Sequence, residues 1–391
     1  MTDTKEIRQV YLDYSATTPV KPEVLEAMLP FFSEDFGNPS SLYTGGQTAK
    51  NAIRNARGQV ASLIGADESE VFFTSSGTEA DNWALIGTAL WKRDKGKHII
   101  TSAIEHHALL HSGEYLEKEG FEVTYLPVDS DGFVRPDDLK KTLRDDTTLV
   151  SIMLANNEIG TIEPIEELCK IAHEGGALFH TDAVQALGNI PLNVRELNID
   201  LMSLSAHKIY GPKGVGALYI KKGVNLPGYL HGGAQEAGRR AGTENLTGIV
   251  GFGKAAELAG QNLNGHILKL RELRDYFIDR VLKEIPDTII NGSQTSRLPG
   301  NANIVFKYIE SEAILLRLDI AGIAVSTGSA CSSATLEPSR VLSAIGLAIE
   351  DVYGSLRFTV GDYTTKEDLD YTMEVLKEAV IKLRSFSLFS S

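Results

Sequence analysis

From about Lys21 to Tyr219 the chain alternates short runs rich in β-branched and aromatic residues with longer runs of helical period. "EVFFT" (Glu70–Thr74) reads as a strand and "GTEADNWALIGTALW" (Gly77–Trp91) as a helix entered through Ser and Gly. "KHIITS", "EVTYLPV", "TTLVSIML", "ALFHTD" and "DLMSLS" continue the strand series, with "HALLHSGEYLEKEG" and "EELCKIAHEGG" as helices between them. Strands that alternate with helices must be joined by right-handed crossovers, so the chain is expected to build a mostly parallel sheet covered on both faces. Ligands of such sheets sit beyond the carboxyl ends of the strands. The polar clusters that end these strands are therefore where chemistry is expected.

After about Gly242 the pattern changes. A long helical stretch, from "GIVGFGKAAELAG" through "RELRDYFIDRVLKEI", leads to "TIING", "ANIVF", "IAVST" and "SLRFTVG". That reads as a smaller α/β unit in the C-terminal third, with a boundary near Gly260. With 391 residues, 42% of them hydrophobic, the chain can bury one large core and a second. A net charge of −14 and no basic cluster argue against nucleic-acid binding. The polar start "MTDTKEIRQVYLDYS" has no signal-peptide core, and no apolar run is long enough for a bilayer. Two cysteines make no disulfide framework, so a cytoplasmic location is expected.

The strand ends differ in what they offer. "TSSGTEADN" runs a strand into Ser-Ser-Gly-Thr at a helix start, which is a phosphate cup in physical terms and also an ordinary helix cap. In "HTDAVQALG", Asp182 either caps the next helix or pairs with a buried cation such as a protonated ring nitrogen, with Gln185 three residues on. In "SLSAHKIYGPKG", Lys208 follows an apolar strand beside Ser205 and His207. A lysine sheltered there can serve as amine nucleophile or base. "AIEHHALLHS" holds His106, His107 and His111 without an H-E-x-x-H or any CxxC, which argues against zinc. His106 is instead expected to stack on a planar cofactor, with His107 and His111 as ordinary helix residues.

The second cysteine, Cys169, sits at a helical position and is expected to be a buried structural thiol. Cys331 lies in the loop "STGSACSSATLEPS", almost free of large apolar side chains, where a packing role has no support. A phosphate cup, a stacking ring, an acid for a ring nitrogen and an amine are together the parts that hold pyridoxal phosphate as a lysine Schiff base.

At this point the sequence resembles the NifS/IscS-type cysteine desulfurases of the class V aminotransferase family. The resemblance runs through "YLDYSATTP", "GNPSSLY", "TSSGTEADN", "EHHA", "NNEIGTIEPI", "HTDAVQALG", "SAHKIYGPKGVGALY", "RRAGTEN", "STGSACSSATLEPS" and "SLRFTVG". It implies the type I pyridoxal-phosphate-dependent transferase fold, an α/β fold. A large domain, 15–260, would carry a mostly parallel seven-stranded sheet; a smaller α/β domain, 1–14 and 261–391, would bear the cysteine loop. It further implies that Lys208 binds the cofactor covalently, Asp182 pairs with the pyridinium nitrogen and Gln185 with the phenolic oxygen. His106 would stack on the ring and assist proton transfer. Gly77, Thr78, Ser205 and His207 would hold the phosphate, with Thr243 reaching over from the partner subunit of a homodimer. Asn157 and Arg357 would orient cofactor and substrate, Arg357 by gripping the carboxylate of L-cysteine. Cys331 would accept the sulfur as a persulfide and pass it to an acceptor such as an iron–sulfur scaffold or a tRNA-thiolation protein. No resident metal is implied, although Cys331 could transiently ligate an iron–sulfur cluster in a complex. An aminotransferase or selenocysteine lyase would keep Lys208, Asp182 and His106 and have no need of Cys331.

Overall fold

The computed structural model of the protein describes residues 8–327 and 338–386. After β1 (Val10–Tyr11), the strands β2 (Val71–Thr74), β3 (His98–Ser102), β4 (Glu122–Leu126), β5 (Thr147–Ser151), β6 (Leu178–Asp182), β7 (Leu201–Ser205) and β8 (Gly216–Ile220) follow in chain order. β2 to β8 form one seven-stranded sheet in the order β2-β8-β7-β6-β5-β3-β4. β8 runs antiparallel to β2 and β7, and the other pairings are parallel. The strands expected from the sequence are all present, and β3, β5 and β7 are buried along their whole length. Parallel strands are buried this way because their crossover helices cover both faces.

Side-chain alternation along β2 shows how the faces are divided. Phe72 packs edge-on against the fully buried Trp83 of the following helix, and Phe73 turns to the opposite face against Phe252. The helices Thr44–Leu63, Ile165–Glu174 and Leu246–Gln261 cover the Phe73 face, whose core includes Ile53, Cys169, Phe179 and Ala256. Cys169 is wholly buried, as expected, and burial pushes its thiol pKa up to about 12. The helix expected over Gly77–Trp91 forms with one departure, a π-helical turn at Trp83–Gly87 between α-helical segments. At the start of that turn, the Trp83 indole N–H donates to the Pro227 carbonyl at 2.9 Å.

A second core lies around β9 (Thr288–Asn291), β10 (Asn301–Phe306) and, beyond β11 (Ile323–Ala324), β12 (Ser355–Thr359). These strands form an antiparallel sheet in the order β12-β10-β9, while β1 pairs in parallel with β11. Leu12, Phe277, Phe306, Phe358 and Leu376 fill this core. The long helical stretch expected across this junction is two helices, Leu246–Gln261 and Leu263–Glu284, broken at Asn262 (φ −135°). Phe252 of the first belongs to the large-sheet core and Phe277 of the second to the smaller one. Among the described residues no helix is long and apolar enough to cross a membrane.

Candidate active site

The carboxyl ends of β3, β5, β6 and β7 meet the end of β2 around a cavity of about 290 Å³. Gly77, Thr78, His106, Asn157, Asp182, Gln185, Ser205, His207, Lys208 and Arg357 all line it. The parallel strands deliver residues from Gly77 to Lys208 to one edge of the sheet, and Arg357 reaches the same cavity from β12 of the smaller sheet. Thr243 is not among them. It is exposed, beside a groove bordered by Ser75, Glu236 and Arg240. Cys331 lies outside the described residues, whereas Pro338, Ser339 and Arg340, which follow that segment, line the cavity.

The cup forms where β2 gives way to a helix. Ser76 caps that helix by accepting the Glu79 N–H, and Glu79 accepts the Ser75 N–H at 2.8 Å. Arg240 clamps Glu79 from the other side with contacts of 2.8 and 3.1 Å, holding the Glu79 carboxyl below the usual range despite its burial. A Cβ at position 77 would fall 2.7 Å from the Val184 Cγ2, so only glycine lets the cup's backbone lie this close to Val184.

Lys208 follows β7 on a short 3-10 turn, and Tyr210 two residues on takes a left-handed backbone (φ 65°) that a non-glycine residue rarely adopts. The Thr18 hydroxyl pins that turn by accepting the Tyr210 N–H at 2.8 Å. The Lys208 ammonium donates to the carbonyls of Ser15 and Ala16, the latter at 2.8 Å. Gln185 Nε2 reaches the same Ser15 carbonyl at 3.0 Å. Asp182 is 5% exposed, and its Oδ1 accepts the Val184 N–H at 2.8 Å. Burial raises its pKa while Lys208 opposes the shift.

His106 caps the helix His107–Lys118 by accepting the Ala108 N–H on Nδ1 at 3.2 Å, which leaves the ring proton on Nε2. Burial and then the Lys208 charge push its pKa down to about 4, so the ring is neutral. His207 is likewise depressed to about 4, by burial and then by Lys208, and its Nδ1 contacts Thr17 Oγ1 at 3.1 Å. Arg357 is 2% exposed; one amino group donates to the Asn157 carbonyl at 2.9 Å and the other to Asp13 Oδ1 at 2.8 Å.

Several contributors escaped the sequence reading. Asp13 and Ser15 hold the catalytic-edge groups from the chain's start, and Glu105, Asp81 and Glu158 are buried acids on the cavity wall. Ser339 donates to Glu158 Oε2 at 2.6 Å while capping the helix Arg340–Ala344. Spacing offered one usable signal: Asp81 stands four residues after Gly77, hence on the same helix face as the cup.

The model of the class-V aminotransferase family matches residues 10–372. The chain belongs to that family. Among class-V relatives, "Cysteine desulfurase IscS" of Dictyoglomus turgidum is 60% identical over 97% of this chain and 96% of its own length. A protein of the same name from Methanosarcina thermophila is 58% identical over 98% of this chain and 94% of its own. A solved "NifS-like protein" superposes with a TM-score of 0.91 at 39% identity, covering 96% of this chain and all (100%) of that one. A solved "SspA in complex with cysteine" gives 0.82 at 35% identity over 91% of this chain and 100% of the other. The chemistry of the class-V cavity's lining fits pyridoxal phosphate: the Thr78 and Ser205 hydroxyls, the Lys208 amine and the buried Asp182 carboxyl all border it.

Proposed function

We infer that this chain is a cysteine desulfurase, taking sulfur from L-cysteine and releasing L-alanine. The convergence of Lys208, Asp182, His106 and Arg357 on one cavity supports the reading most directly. Pyridoxal phosphate, when bound, supplies an electron sink for the carbon next to the substrate's amino group. Ser76, Gly77, Thr78, Ser205 and His207 would hold its phosphate and Asp182 its ring nitrogen, with Gln185 on the ring's phenolic oxygen. His106, neutral and fixed by its Nδ1 acceptor bond, would face the ring and holds a proton at Nε2. Lys208 Nζ would hold the cofactor and would take the substrate Cα proton.

Arg357 binds the substrate carboxylate, sharing its guanidinium with Asp13, and Asn157 orients the bound groups. The Cys331 thiolate attacks the substrate sulfur, so an S–S bond forms as the C–S bond breaks. The C–S electron pair passes to the substrate Cβ, which takes up a proton, and Cα regains the one it lost, giving alanine. The persulfide then passes to an acceptor protein such as an iron–sulfur scaffold, in the cytoplasm. The exposed position of Thr243 suits a second copy whose cavity it would complete, which makes the working unit a homodimer. The large domain is 15–260 and the smaller one 1–14 with 261–391.

Mass spectrometry after a single turnover with L-cysteine tests the reading. The expected result is one extra sulfur on Cys331, and none on Cys169. Sulfur found only on Cys169, or undiminished alanine formation by Cys331→Ala, would refute it. Lys208→Ala should also lose the yellow, borohydride-reducible imine of the holoprotein.

A further inference from the structure

Asp81 borders the cavity, is 2% exposed, and its Oδ1 has no hydrogen-bond partner among the described residues. Its carboxyl is met by the Ser203 hydroxyl, which lies 3.0 Å from His180 Nε2, while Ser151 Oγ lies 2.8 Å from His180 Nδ1. Both ring nitrogens of His180 are thereby taken up by hydroxyls, and the ring is wholly buried. Burial pushes its pKa down to about 3, so His180 is neutral and brings no counter-charge, although its Nε2 is 3.8 Å from Asp81 Oδ1.

The other titratable groups facing Asp81 are Asp182 on β6 and Glu105 after β3; both are acids, and each when ionised works against ionising Asp81. Asp182 differs from Asp81 in two respects. It accepts a backbone N–H from Val184, and it feels the Lys208 ammonium. Two neighbouring buried carboxyls, only one of them beside a cation, do not both ionise.

We propose that Asp81 holds a proton, so that Asp182 alone carries negative charge at the ring-nitrogen edge of the cavity. Asp81 is then a positioning residue that acts through Asp182. A second anion at 81 would drive Asp182 to take up a proton and cancel the charge that pairs with the cofactor ring. This consequence rests on the pyridoxal phosphate reading of the cavity; the proton on Asp81 does not.

Infrared difference spectroscopy of the full chain at neutral pH tests the proposal. With aspartate carboxyls carbon-13 labelled, the wild-type protein should show an isotope-shifted protonated-acid carbonyl band, both with pyridoxal phosphate and after the cofactor is stripped. Asp81→Asn, which matches a neutral acid in size, should lose that band. It should also leave the midpoint of the holoprotein's visible pH titration where it was. Absence of any labelled acid band in the wild type would overturn the proposal without recourse to a variant. So would a shift of the visible titration by about one pH unit in Asp81→Asn, the mark of a removed charge. Failure to take up pyridoxal phosphate would refute the proposed function, while the labelled band would still decide the state of Asp81.

Discussion

Truncating Glu236 to alanine should cost about 3 kcal/mol, because it breaks a buried ion pair from one side. Arg57 grips Glu236 in a two-pronged contact of 2.6 and 2.7 Å, and the same carboxylate accepts the Phe73 N–H at 2.9 Å. The Glu236 side chain is 3% exposed and that of Arg57 18%. Loss of the carboxylate strands a largely buried guanidinium and a buried backbone donor; removal of one partner from such a pair costs about 3–5 kcal/mol. The low end applies because Arg57 keeps the Val71 carbonyl at 2.7 Å and the face of Phe73 at 4.8 Å. Backbone strain cancels in the comparison, since alanine carries a Cβ just as glutamate does at the left-handed position 236 (φ 47°). Equilibrium denaturation in guanidinium chloride would measure the loss. Glu236→Gln, which keeps an acceptor for Phe73, should lose less, and Arg57→Met with Glu236→Leu should recover much of the deficit. A cost below about 1 kcal/mol for the alanine variant would place the pair among ordinary surface ion pairs and refute the reasoning.

Two further predictions concern the walls of the cavity. Burial raises Glu105 to about 8 in the fold against 4.5 as its ordinary value, so the native state binds more protons than the unfolded chain between those pH values. Its contribution to stability is therefore lost as pH rises, and Glu105→Gln should gain on the wild type steadily from about pH 4.5 to 8 in urea melts; a constant difference would refute the shift. Gly160 closes the Asn156–Gly160 turn at φ 78°, and a Cβ there would lie 2.8 Å from Asn301 Cγ. Gly160→Ala should cost ~2 kcal/mol and raise the KM for L-cysteine by displacing Asn157, as thermal unfolding and steady-state kinetics would show.

The strand ends were readable because each is a local event: an apolar run stops, and a polar cluster follows. Lys208, Asp182 and the Ser76–Thr78 cup stand out in the sequence for that reason alone. Asp13 does not, because its meaning comes from Arg357, 344 positions away, and the pair forms only when Asp13 is bridged to Thr359 at the end of β12. Glu105 and Asp81 read as unremarkable acids near helix starts. Spacing puts Asp81 on the helix face of the cup, but the importance of both follows from burial, which no local pattern announces.

Alternating strand and helix periods by themselves determined a mostly parallel sheet with its chemistry at one edge, since crossover handedness leaves few other arrangements. They also placed Cys169 in a core. Only the tertiary structure decided the electrostatics: a neutral His106, a clamped Glu79 and a cluster of acids beside Asp182 depend on which groups exclude water from which others. Burial and charge neighbourhood are properties of the packed whole, because desolvation and Coulomb interactions act through space and not along the chain.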